Sequence, residues 1–167
     1  LVSDDLESNT GWTAGDPSDT ATTGQWERVD PIGTDAQPGD DHTSGGSLCF
    51  VTGQGSSGGS VGENDVDGGT TTLYTPLYDL SGATDPMISY WRWYSNDAGG
   101  APNADTFIVQ LSNDGGSSWS DVEVLGPSGA GTSGGWIQHL FPVSSVLTPT
   151  ANMQLRFLAS DLGSGSI

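Results

Sequence analysis

The sequence predicts an all-β fold, an antiparallel β-sandwich, and three observations carry that prediction. No window places apolar residues at i, i+3, i+4 and i+7 without an interrupting Gly or Pro, so amphipathic helices are not expected. Seven segments rich in β-branched, aromatic and aliphatic residues recur instead, separated by Gly/Asp/Ser/Pro loops. Within several of them apolar and polar residues alternate, the pattern of a sheet with one face on a core and the other in water.

A strand is expected near residues 1–6, followed by a mostly loop-forming stretch over residues 10–46. Such a long loop implies that function or bound ions hold it. SLCFVTG (47–53) is the first strong strand, and Cys49 between Leu48 and Phe50 reads as a buried thiol. TTTLYT (70–75) and MISYWRWY (87–94) follow. TFIVQLS (106–112) puts Phe107, Val109 and Leu111 on one face. SNDGGSSW (112–119) reads as a hairpin, with Asp114 and Gly115–Gly116 in the turn and Trp119 packing back on the sheet. WSDVEVL (119–125) and WIQHLFPV (136–143) come next. MQLRFLA (153–159) completes the set, with Met153, Leu155, Phe157 and Ala159 on one face. The total is about eight strands, the number of a jelly roll. One domain is the natural count for 167 residues.

Three cations, Arg28, Arg92 and Arg156, stand against 21 carboxylates, giving a formal charge of −18. Nucleic acid and anionic membrane surfaces are therefore disfavoured as partners, because both need a basic patch. No run of 18 apolar residues is present, so no membrane-inserted helix is expected. The sequence opens on Leu1 without Met, as expected of a mature or excised piece of a longer product. A single cysteine leaves no internal disulfide. The acidity and the Ser/Thr/Gly loops favour a place outside the cell, with salty surroundings as a rival source of the acidity.

The stretch GENDVDGG (62–69) aligns partly with the calcium-loop pattern D-x-[DN]-x-[DN]-G, through Glu63, Asp65, Asp67 and Gly68. Tyr74 stands where an EF-hand needs its bidentate Glu, and no helices flank the loop, so an EF-hand is excluded. A sandwich-loop cation site remains, against a solvated acidic turn. Asp40 and Asp41 form a second acidic cluster, whose mutual repulsion a cation would relieve. His42 beside them lacks the Cys/His spacing of a zinc site. Asp97 and Asp105 flank a Gly-rich excursion and would meet at its base, as ligands or as turn formers. Trp93 and Tyr94, and Trp26 with Arg28, are candidates for an aromatic platform beside a cation, against ordinary core packing. The G-x-S-x-G, H-E-x-x-H and phosphate-loop patterns are absent. A pair of Asp residues acting as acid and base is the remaining enzymatic option.

Several segments together resemble the MAM domain and its bacterial secreted and surface-protein relatives. DDLESNTGW (4–12) resembles the family's opening acidic strand and Gly-Trp, and QWERVDPIGT (25–34) its Trp–basic segment. GDDHTSGGSLCFV (39–51) is similar to an Asp-His-Thr loop leading into an aromatic strand. The hairpin at 112–119, the W-x-Q at 136–138 and the L-R-F at 155–157 resemble the later part of the bacterial modules. The resemblance implies a jelly roll with a bound cation, ligated by Glu7 and Asp41, with Asp40 beside them and Asp65 and Asp67 matching the acidic loop of the bacterial group; calcium is the expected ion. It also implies one further strand beyond DLGSGSI, supplied either by a continuation of the chain or by something else, and in the second case an open sheet edge is available for strand addition.

The expected function is a non-catalytic extracellular module for adhesion or assembly, stabilised by calcium, with copies of itself or neighbouring extracellular domains as partners. It would serve as a subunit or repeat of an extracellular fibre. The alternative is a carbohydrate-binding appendage of a secreted peptidase or glycosidase, with glycans as the ligand.

Overall fold

The computed structural model describes residues 1–163 together with Gly165 and Ile167. Among these it is all-β, with nine strands and a single 3-10 turn at Val143–Ser145. The strands are β1 (Thr13–Ala14), β2 (Trp26–Val29), β3 (Cys49–Thr52), β4 (Gly69–Tyr74) and β5 (Met87–Arg92). They continue with β6 (Phe107–Ser112), β7 (Ser120–Leu125), β8 (Ile137–Pro142) and β9 (Gln154–Asp161). All named pairings are antiparallel.

The strand expected near residues 1–6 does not form. The Asp4 carboxylate accepts the Leu6 N–H and the Asp5 carboxylate accepts the Glu7 N–H, while Leu6 takes a left-handed φ of 64°. Local Asx turns thus win over a ladder. Conversely, β2 arises inside the stretch expected to be loop, pairing with β3 from Trp26↔Thr52 to Val29↔Cys49.

One layer is a five-stranded sheet in the order β1-β4-β9-β6-β7. Its inner face is the alternating row read from the sequence. The pairs Phe107↔Ala159, Val109↔Phe157 and Leu111↔Leu155 set the apolar faces of β6 and β9 side by side, and all six residues are buried. The hairpin between β6 and β7 is as expected. Asp114 accepts the Ser112 and Ser118 hydroxyls and the Ser118 N–H, with Gly115 and Gly116 at positive φ. Trp119 lies under the Arg156 guanidinium, 4.4 Å from its centre.

The covering layer is not one sheet. It consists of two separate ribbons, β2–β3 and β5–β8. Ile88 and Tyr90 from β5, and Trp26 and Phe50 from the other ribbon, pack against the core of the five-stranded sheet.

A buried ion pair fastens the β5–β8 ribbon to β7. Arg92 Nη2 stands 2.6 Å from Glu123 Oε1, and Arg92 Nε donates to both carboxylate oxygens at 3.0 Å. The Tyr90 hydroxyl donates to Glu123 Oε2 at 2.9 Å, and His139 Nδ1 lies 3.5 Å from Oε1. Burial works against the Glu123 charge, but the bonds from Arg92 and Tyr90 outweigh it and hold the carboxyl below its usual range. Removing one partner strands the other in the core. Glu123→Ala should therefore cost about 3–5 kcal/mol in denaturant unfolding, whereas the double change Arg92→Met with Glu123→Leu should recover most of it.

Candidate functional site

Between the two ribbons lies a cavity of about 1370 Å³. Close-packed interiors hold few voids larger than a water molecule, and small-molecule sites run to roughly 300–1,000 Å³. The lining follows a simple rule. Residues 48–53 and 86–96 line it without a gap, whereas the five-stranded sheet contributes mainly alternate positions, among them Leu73, Phe107, Leu111, Leu155, Phe157 and Ala159. A strand seen face-on shows every second residue, and one seen edge-on shows them all. The cavity therefore has an apolar floor and two walls that are strand edges, β3 and β5. β3 pairs only with β2, and β5 only with β8. Aromatic rings lean in from the walls, with Phe50 5.4 Å from Trp12 and Tyr94 5.5 Å from Phe107.

The two walls run in the same direction. Gly53, after β3, sits so close to Asn64 that an added Cβ would fall 1.7 Å from its carbonyl oxygen. Beyond β5, the Ser95 hydroxyl donates to the Ile167 carbonyl, and Ala98 and Ile167 exchange two backbone hydrogen bonds. Ile167 Cδ1 in turn lies 2.8 Å from where a Cβ on Gly62 would stand. Both C-terminal ends thus reach one corner, built from the 62–65 turn and Ile167.

That corner is acidic. Asp65 and Asp161 both line the cavity, and Asp161 is 2% exposed. Its Oδ1 accepts the Gly163 N–H, while its Oδ2 is buried without a hydrogen-bond partner. Four buried side-chain atoms are orphaned among the described residues, and three of them, Arg92 Nη1, Tyr94 Oη and Asp161 Oδ2, belong to cavity-lining residues. Burial, then the Asp67 charge, then that of Asp161, push the Asp65 carboxyl up to about 6.

The alternating carboxylates of GENDVDGG do not converge. Glu63 turns to the Ser56 N–H and hydroxyl, Asp67 accepts the Thr23 hydroxyl at 3.1 Å, and Asp65 lines the cavity. Glu7 and Asp41 do come together: Glu7 Oε1 and Asp41 Oδ2 both lie within 3.0 Å of where a Cβ on Gly46 would stand. Glu7 Oε1 also accepts the Ser47 and Leu48 N–H groups, and these bonds, Leu48 first, lower its pKa. Asp40 is exposed and only caps the Asp41 N–H. Asp97 is exposed and Asp105 buried, so they do not meet as a pair facing one ion; the Asn96 amide closes that loop by donating to the Asp105 and Pro127 carbonyls. Among the described residues no group of three or more His, Cys, Asp or Glu is placed to hold a metal ion.

Trp26 and Tyr94 turn inward, whereas Trp93, two positions from the exposed Trp91, is half-buried against Trp136. Trp26 donates to the Thr71 carbonyl and packs near Phe107, Arg28 donates to the Leu6 carbonyl, and Trp93 donates to the Ala36 carbonyl. Tyr94 packs on Phe107. Trp91 is the exposed ring of that strand, at 43%, and His42 stacks on it at 3.5 Å. Cys49 is buried as expected, and burial, with the charges of Asp41, Asp30 and Asp40 behind it, pushes its thiol up to about 12.

Sequence reasoning missed Asp161, although the signal was there. The inward row Met153, Leu155, Phe157, Ala159 reaches Asp161 in its next step. No known family model, curated protein or solved structure matches the chain.

The raised Asp65 carboxyl gives a signed pH dependence. The folded chain holds this proton more tightly than the unfolded chain, whose ordinary value is 3.8. The resulting stabilisation is full below pH 3.8 and is lost as pH rises through about 6. Asp65→Asn should flatten that part of the stability–pH curve. It should raise stability at pH 7 by about 1 kcal/mol, after discounting for partial solvent screening.

Proposed function

We propose that the chain is a non-catalytic extracellular module of the MAM-like jelly-roll type, stabilised by calcium, which serves adhesion or assembly by accepting a strand from a neighbouring domain. The observation that supports this reading best is the divided covering layer, whose two strand edges face one apolar cavity. Unpaired edges are templates for strand addition, and proteins that keep them unused normally blunt them with charge, proline or a bulge. Cys49–Thr52 contains neither proline nor a charge, and Met87–Arg92 contains no proline and a single charge, Arg92, which is committed to Glu123.

Calcium enters through the resemblance and through the convergence of Glu7 and Asp41 on Gly46. Two carboxylates are a partial shell for an ion that takes six to eight oxygens, so backbone carbonyls and water would supply the rest. An ion there would tie the N-terminal segment to the loop that leads into β3. Calcium should raise the melting temperature and EDTA should lower it, since a ligand bound only by the folded state adds RT ln(1+[L]/Kd). Glu7→Gln should abolish the response. A melting temperature indifferent to both reagents would remove calcium from the account.

The open edges are tested by amide hydrogen exchange on the isolated chain. The cavity-facing amides of β3 and β5 should exchange at loop-like rates while those of β6 and β9 are protected. Protection of both edges in a monomer would mean that the layer closes on itself and offers a neighbour nothing.

A further inference from the structure

Resting on that reading, we propose that the cavity takes one extended peptide segment of a partner polypeptide, inserted between β3 and β5 and antiparallel to both. Its inward positions are apolar, and a Lys or Arg near its N-terminal end meets Asp161.

A peptide strand is the occupant that matches all the surfaces. The walls are two main-chain edges, which offer N–H and C=O groups in alternation to a chain lying between them. β3 and β5 run the same way, so one strand between them continues the antiparallel sheet on both sides. The floor is apolar and matches the period-2 side of such a segment. A glycan or a lipid tail would leave both edges unpaired, at the usual cost of buried backbone groups without partners. With β5 six residues long and β3 four, the inserted segment spans about five or six residues.

Charge fixes its polarity. The C-terminal ends of both walls meet at the corner of Asp65 and Asp161, so the N-terminal end of an antiparallel insert lies there. Asp161 Oδ2 is buried and unpartnered at that end, and a cationic side chain completes it. The same charge argues against a second copy as donor. This chain carries −18, and each of its three arginines is already engaged: Arg28 at the Leu6 carbonyl, Arg92 at Glu123, Arg156 at Gln110 and Trp119. The donor is therefore a more basic polypeptide.

The test uses the full chain and acetylated seven-residue peptides that alternate Val and Thr behind an N-terminal Lys. Companion peptides carry Glu in place of the Lys, or Pro at the centre. Each is added in trans and also tethered after Ile167 by a Gly/Ser linker, which raises the effective concentration to the millimolar range. Binding of the Lys peptide should slow exchange at cavity-facing amides of β3 and β5 together by at least tenfold. The Lys peptide should bind about tenfold more tightly than the Glu peptide, and Asp161→Asn should erase that preference. The Pro peptide should give no protection. Protection of one edge alone, or of neither even when tethered, or equal binding of the Pro peptide, would overturn insertion. Equal binding of the Lys and Glu peptides to the unaltered chain would overturn the role of Asp161. Concentration-dependent protection of both edges without any peptide would assign the cavity to a second copy instead. The peptide results leave the exchange of the dilute chain without peptide unchanged, so failure here is distinguishable from failure of the open-edge reading.

Discussion

The apolar face of the five-stranded sheet has to be covered, and the rest of the molecule follows from how that is done. Phe107, Val109, Leu111, Leu155, Phe157 and Ala159 form one continuous inner surface across β6 and β9. A sheet with such a face needs a second layer. Here that layer is two narrow ribbons, each too small to be stable alone. Each is therefore held from the flank: β5–β8 by the Arg92–Glu123 pair, and β2–β3 by the Trp26 indole on the Thr71 carbonyl and by Phe50 against Trp12. The cavity between them is the geometrical remainder of that arrangement.

The acidity has a related logic. Many of the carboxylates accept loop N–H groups and hydroxyls. Asp16 caps Ser18 and bonds the Tyr74 hydroxyl, Asp19 accepts the Thr72 N–H and hydroxyl, and Asp79 and Asp114 organise the turns at Ser81 and Ser118. Long loops without helices carry many amide groups that no ladder satisfies, and Asp is the side chain best suited to reach them locally. Arg92 is held at an interior junction, and Arg28 and Arg156 are half-buried against the Leu6 carbonyl and against Gln110 and Trp119, so few positive charges face the 21 carboxylates. That distribution favours basic partners and repels copies of the chain at a distance.

Much of the fold was legible because its signal is local. Period-2 alternation in TFIVQLS and MQLRFLA placed the buried rows, and the Asp-Gly-Gly turn placed the β6–β7 hairpin. The misses have physical causes. Residues 1–6 look strand-like by composition, but Asp4 and Asp5 bend the chain back on its own amides. WERV forms a strand because β3 is there to pair with it, a fact of tertiary structure that no window of residues contains. The candidate site was less legible. Alternating acids suggest convergence, yet Ser56 and Thr23 draw Glu63 and Asp67 apart. The aromatic strand read as a platform turned Tyr90, Arg92 and Tyr94 inward and left Trp91 outside, since a strand pattern gives two faces without saying which one the core takes.

The proposed strand insertion requires an opening one strand wide between β3 and β5 in the covering layer. Cross-strand nuclear Overhauser effects in the isolated chain test it most directly. Strong contacts are expected within β2–β3 and within β5–β8, none between Cys49–Thr52 and Met87–Arg92, with a main-chain separation of about 9.5 Å, two interstrand spacings. Direct amide or α-proton contacts between those two segments would show a closed sheet and contradict it.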